Sequence, residues 1–436
     1  MHLNKFALVF ALSMMSFASA QAMDCPSGFE MKSGFCIVAP KAAVAEPMKM
    51  GGAVIAPATA EHSTLACPSG FEMKSGFCMV APKALAGSQP PVNVYSEIGA
   101  DKLNPALADV PQRVYVPNHS SNTVSVIDQA TMKVIDTYSV GLGPQHIIPS
   151  WDLKTLWVAN NASNTTHGAM TPIDPLTSKP GPSMEVDDPY NMYFLPDGSQ
   201  AIIVDEAYKR LDIRDPHTMK LIAEIPTPDC HGINHADYSA DYSYAIFTCE
   251  FHGGALTKVD LKNQKVLGTL ALSKTGMPQD VRLSPDGSVF YVSDMMNNGV
   301  FLIDGTSFTE VGFIPTGVGA HGLNVSRDGK SLYVANRGTM DMPGAPKGPG
   351  SVSVINFATR KVVANWPIEG GGSPDMGNLS VDGKTLWLSG RFDNVVYAFD
   401  TTSGAVTKIK VGQEPHGLTV WPQPGRFSLG HTGNMR

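Results

Sequence analysis

The feature that most limits what this chain can fold into is a strand pattern that keeps returning. Its clearest copy begins HGLNVSRDGKSLYVAN at 321–336, continues GSVSVINFATRK at 350–361 and ends VVANWPIEGG at 362–371. The first part holds one apolar run, a turn at Arg327-Asp328-Gly329, and a second run through Val334. SVSVIN alternates strictly and is β-branched, so it is a third strand, and Ala358-Thr359-Arg360 turns into a fourth. The unit is a four-stranded antiparallel meander. It recurs at 189–206 (PYNMYFLPDGSQAIIVDE), 277–294 (MPQDVRLSPDGSVFYVSD) and 373–390 (SPDMGNLSVDGKTLWLSG), each followed by two more runs, and weaker copies start at Pro144 and Cys230.

The ends of the array predict how it closes. Residues 113–141 supply strands two to four of a unit without a first, and EPHGLTVWPQPG (414–425) supplies a first strand with no unit after it. With the six full units this gives twenty-eight strands. The expected fold is all-β: a seven-bladed β-propeller whose last blade joins N- and C-terminal strands and leaves no open edge. A strand hidden in 93–112 would instead make eight blades. Glycine (42) and proline (33) against only 16% charged residues suit short strands and tight turns. A net charge of −7 without a basic stripe argues against nucleic acid as a partner.

Three regions follow: 1–20, 21–93 and the propeller, 94–436. Lys5, the apolar run Phe6 to Phe17 and Ala18-Ser19-Ala20 read as a cleavable signal peptide, cut after Ala20 or Ala22. No later run is apolar enough to span a bilayer. A periplasmic, secreted or cell-surface location is therefore expected. CPSGFEMKSGFC occurs at both 25–36 and 67–78. An even number of cysteines in an exported chain favours disulfides, here Cys25–Cys36 and Cys67–Cys78, each clipping a small hairpin. The Ala/Met/Pro/Gly-rich stretches around these repeats read as flexible linkers. Their methionines (Met48, Met50, Met73, Met79) are either surface filler or soft copper ligands.

The signatures LYVAN…SVSVIN, VYVPN…TVSVID and FYVSD…GVFLID resemble those of the YVTN-type repeat proteins, bacterial exported propellers, over roughly residues 110–425. That resemblance implies fold more than function, since such propellers serve adhesion, ligand binding and oxidoreduction. More distantly, the architecture resembles the propellers of nitrous-oxide reductase and cytochrome cd1, whose channel histidines hold copper or haem d1.

The first strand of each blade should line the channel. Anchored on the Asp-Gly turns, the ring reads Gln145, Tyr190, Asn234 (or His231), Gln279, His321, Asp375 and His416, with His146 and His235 beside it. His321, Asp375 and His416, with His146, His231 or His235, would suit copper, zinc or iron. Gln145 and Gln279 are suited to fixing ring tautomers. Turn-bound histidines solvated by water, or a site for a small polar ligand, are the competing readings. Cys230 and Cys249 fall opposite each other across a hairpin, as a disulfide or as thiolates for copper with His231, His235 and His252. The tail RFSLGHTGNMR suggests no chemistry, and no hydrolase elbow, nucleotide loop or zinc-protease motif occurs. The first functional reading is a binding or interaction scaffold for a protein or small molecule at the propeller face. A copper- or haem-linked oxidoreductase and a metal-delivery protein are the alternatives.

Overall fold

The structure is a computed structural model. It describes the short strands at 29–32, 35–38, 71–74 and 77–80, and residues 92–162, 167–339 and 348–436. The chain divides into two units, Met1–Ala84 and Leu85–Arg436. In the first unit, Phe29–Lys32 pairs antiparallel with Phe35–Val38, and the duplicate Phe71–Lys74 pairs with Phe77–Val80 in the same register. The signal segment, the Cys25–Cys36 and Cys67–Cys78 pairings and the methionine-rich linkers lie outside the described residues.

The second unit is a seven-bladed propeller. Its blades begin with the inner strands Pro144–Pro149, Pro189–Phe194, Ile233–Tyr238, Pro278–Leu283, Ala320–Val325, Pro374–Leu379 and Thr419–Trp421. Each is followed outward by three antiparallel strands. In blade one the outermost position is shared by two short pieces, Lys179–Pro180 and Met184–Asp187, both paired to His167–Asp174. Blade seven closes the ring, with Thr419 opposite Tyr115 and Trp421 opposite Arg113. Among the described residues, 93–112 contains turns and one 3-10 segment, Pro105–Leu107, started by Asn104, so seven is the blade count. No helix of the described residues is long and apolar enough to cross a membrane.

Burial follows position in the blade. The first and third strands of blade five, AHGLNV and SVSVIN, are packed between neighbouring blades, whereas its outermost strand Lys361–Pro367 alternates towards solvent. The Asp-Gly turns are tied locally. Ser284, Ser326 and Ser380 each donate a hydroxyl hydrogen bond to the turn aspartate two residues on (2.5, 2.6 and 2.7 Å). The glycine that follows takes φ near +70°, as at Gly329 (67°), which a side chain would strain.

Candidate functional site

A local irregularity aims the ring residues at the channel. Near the start of the inner strands the ladder skips: between Pro144 and His146, Pro189 and Asn191, Ile233 and Ala236, Pro278 and Val281, Ala320 and Leu323, and Pro374 and Gly377. The residues passed over include Gln145, Tyr190, Asn234, His235, Gln279, His321 and Asp375. Extra residues at a bulge leave the pairing and re-aim their side chains. Here the bulge repeats once per blade, so a ring of polar side chains converges on one axis.

His146, His235, His321, Asp375 and His416 meet there, all buried. His146 packs edge-on against His416 (ring centroids 4.7 Å), His235 (5.1 Å) and Tyr190 (5.2 Å). The Nε2 atoms of His146 and His235 stand 3.3 Å apart. Asp375 anchors two of the imidazoles. His416 Nδ1 donates to its Oδ2 at 2.7 Å, and His321 Nδ1 lies 2.7 Å from its Oδ1 in poorer alignment. Arg337 forks onto the same carboxylate at 2.9 and 3.2 Å. Burial alone would push the Asp375 carboxyl up. Arg337 first, then the two imidazoles, hold it well below the usual carboxylate range. Asp375 therefore orients two ligand candidates, both its oxygens being engaged.

Hydrogen bonding fixes the tautomers. His235 Nδ1 faces the carbonyl of Gln279 at 3.2 Å, which can only accept, so Nδ1 carries the proton and Nε2 a lone pair. His416 Nδ1 is protonated for the same reason, and its Nε2 accepts from Tyr190 Oη at 3.3 Å. Gln279 thus acts through its backbone, while the Gln145 side chain accepts from Arg391 at 3.3 Å and touches no imidazole nitrogen. Burial holds every ring neutral. It lowers His146 and His235 well below the ordinary range, helped by neighbouring histidines. It lowers His321 to about 4, with Arg337 adding, and His416 to about 3, with Arg391 adding. In metal-free protein at pH 5, where a free imidazole is mostly charged, His321 and His416 are expected to remain neutral. Imidazole shifts in histidine-labelled protein check this, and protonated signals from those two rings would refute it.

The tail brings an unforeseen fifth histidine. Residues 428–436 are buried and lie across the channel. His431 N donates to Met192 O in blade two (2.9 Å), Asn378 of blade six donates to Thr432 O (3.2 Å), and Arg436 pairs with Asp237 of blade three (2.8 Å). His431 Nδ1 accepts from the Thr432 amide at 2.5 Å, so its Nε2 carries the proton and faces Asp280 at 3.4 Å. It therefore presents an N–H where His235 and His416 present lone pairs. The sequence signal was the Gly430-His431-Thr432-Gly433 spacing in a stretch with little charge. No repeat marked it.

His231 lies elsewhere. It stacks on His252 (centroids 4.1 Å, 26° between planes) in an open groove beside blade three, so the Asp-Gly anchor, which selected Asn234 and His235, was the correct register. Cys230 and Cys249 are joined by a disulfide, which removes the thiolate copper site. The disulfide ties the segment bearing His231 to the one bearing Glu250 and His252.

Comparison with known proteins fits this architecture. A family model for YNCE-like β-propellers matches residues 81–424. The chain belongs to that family. No curated protein matches the sequence. Solved structures share the fold at low identity. A putative 6-phosphogluconolactonase from Bacteroides uniformis aligns with TM-score 0.57 and 16% identity over 71% of this chain and 99% of that one. Dihydro-heme d1 dehydrogenase NirN in complex with DHE aligns with TM-score 0.52 and 15% identity, over 72% and 75%. Apo AztD from Citrobacter koseri aligns with TM-score 0.52 and 15% identity, over 72% and 99%. These proteins differ in activity, so this YNCE-like propeller's function rests on its own side chains.

Proposed function

We propose that this propeller is an exported metal-binding protein that holds a divalent transition ion, zinc best of all, among the neutral histidines of its channel. The observation that carries the reading is that His146 Nε2 and His235 Nε2 converge at 3.3 Å, joined in the metal-free protein by a hydrogen bond from His146 to the His235 lone pair. Two zinc–nitrogen bonds of about 2.0–2.1 Å at a tetrahedral angle put their nitrogens about 3.3 Å apart. His321 and His416, with Nδ1 turned to Asp375, supply the remaining imidazoles, the carboxylate–histidine support common to zinc sites. Among the described residues, no three side chains already have their donors gathered tightly enough to hold an ion. For His416 to join the set, its Nε2 would have to give up the hydrogen bond it accepts from Tyr190.

The oxidoreductase reading has less support. The histidine rings pack at 4.7–5.4 Å from His146, too close to admit a macrocycle between them. A general scaffold role would leave this buried array of imidazoles without a purpose.

The test uses full-length protein purified without a histidine tag, stripped with chelator and titrated with zinc, copper(II) and iron(II). One tight equivalent of zinc is expected, weakened at least 100-fold by His146→Ala/His235→Ala, with thermal melts confirming that the variant is folded. Wild-type protein that takes up none of the three ions, or a folded variant with unchanged affinity, would overturn the reading.

A further inference from the structure

In blades three to six the skip in the ladder sets one residue of the second strand against two of the first. Thr248 faces Asn234 and His235, Ser293 faces Gln279 and Asp280, Ala335 faces His321 and Gly322, and Ser389 faces Asp375 and Met376. Such a bulge takes a backbone amide out of the ladder, and a buried N–H without an acceptor is costly. In blade three the Thr248 hydroxyl is the acceptor, 3.0 Å from His235 N. Its own proton goes to the next blade, to Gln279 O at 2.7 Å.

That carbonyl is the one His235 Nδ1 faces at 3.2 Å. The contacts close a loop: His235 N–H to the Thr248 hydroxyl, the hydroxyl to Gln279 O, and His235 Nδ1–H to the same oxygen. A carbonyl oxygen has two lone pairs, and here the hydroxyl takes one and the imidazole the other. Main chain and ring of His235 are thus held through one fully buried hydroxyl. Cys249, the next residue along the strand, is tied by its disulfide to Cys230.

The bulge itself does not require a hydroxyl, since Ala335 stands at this position in blade five. Ser293 repeats the device in blade four, accepting from Asp280 N at 3.0 Å and donating to His321 O, and Ser389 in blade six donates to Met376 O at 3.1 Å. Of the three hydroxyls, only that of Thr248 braces a carbonyl that holds an imidazole.

We infer that Thr248 is a positioning residue of the channel site, closing a hydrogen-bonded loop that keeps the proton of His235 on Nδ1 and turns its Nε2 lone pair towards His146. The inference rests on the channel reading above. Without the hydroxyl, Gln279 O loses a bond that places it and the His235 amide loses its acceptor. The ring can then turn and carry its proton on Nε2, the nitrogen that an ion on this face needs bare.

The experiment reads tautomer and affinity separately. Imidazole nitrogen shifts of His235 are recorded in the metal-free full chain at neutral pH, identified by their loss in His235→Gln, and zinc affinity is measured by competition with a chromophoric chelator. Wild-type His235 should be protonated on Nδ1 alone. Thr248→Val, which keeps the shape and removes the hydroxyl, should show a mixture of tautomers and bind zinc about tenfold more weakly. Thr248→Ser should restore both. Thermal melts establish that the variants are folded, and Thr248→Ala, the residue blade five carries there, replaces the valine variant if that one is not. Ser389→Ala, which removes the matching hydroxyl of blade six, should leave the His235 signals in place. A wild-type His235 protonated on Nε2, a folded Thr248 variant with unchanged tautomer and affinity, or an equal tautomer shift in Ser389→Ala would overturn the inference. Wild-type protein that binds no zinc, while Thr248→Val still shifts the tautomer, would overturn the channel reading and leave the brace on His235 standing.

Discussion

Replacing Asp375 with alanine should cost the metal-free propeller about 3–5 kcal/mol and, in whatever folds, weaken zinc binding at least tenfold. The side chain is fully buried and compensates Arg337, itself 1% exposed. Removing one partner of a buried ion pair leaves a charge in a poorly polarisable interior, and the penalty is of that size. The zinc effect is separate. His321 and His416 lose the carboxylate that turns Nδ1 away and leaves Nε2 for the ion, and loss of such support costs roughly 10–100-fold in affinity. Asp375→Asn distinguishes the two. It keeps the shape and one acceptor, so stability should fall less than in the alanine variant while zinc binding still weakens. Urea unfolding and zinc competition measure them. A stability change under about 1 kcal/mol in Asp375→Ala would mean that Arg337 finds another counter-charge.

A chain stopped after Gly425 should be destabilised by roughly 5 kcal/mol or more, with melting lowered by about 10 °C. Asp237 accepts from Arg436 and Asn434, both at 2.8 Å, and would be left buried with only the amides of Tyr238 and Leu283. Leu429 and Met435 leave the core, at about 2 kcal/mol each. Arg436→Met isolates the charge contribution and should account for a large part of the loss. A shift of less than about 2 °C on truncation would show the tail to be a passenger.

The propeller was legible because an Asp-Gly turn recurs in blades two, four, five and six and a Tyr-Val or Trp-Val step in blades one, four, five and seven, and because the incomplete ends complement each other. The ring was legible for a related reason. The bulge falls at the same place in each repeat, so counting back from the Asp-Gly turn finds His321 and Asp375, and aligning the His-Gly pair of 416–417 on that of 321–322 finds His416. In blade three two anchors conflicted. The His231-Gly232 pair resembles His321-Gly322 but belongs to the loop before the strand, and only the turn count reaches His235. The role of Asp375 was not readable, because a carboxylate beside imidazoles serves equally as ligand or as orienting partner until Arg337 is seen to share it. The tail was missed because it belongs to no repeat. Its place is set by hydrogen bonds to three different inner strands, those of blades two, three and six, and no sequence periodicity reports these.

Blade seven is a seam between distant parts of the chain, and that seam also sets a clock. Ribosomes deliver residues in order, and units fold as they emerge. Strands Arg113–Asn118 and Thr123–Asp128 are made about three hundred residues before Thr419–Trp421, the strand that completes their sheet. His416 and the plugging segment arrive with that final strand. Until that strand pairs, the propeller is an open arc with a gap where one wall of its central chamber will stand. The chamber's full set of imidazoles comes into being in a single late event, once the two edges of the arc have met.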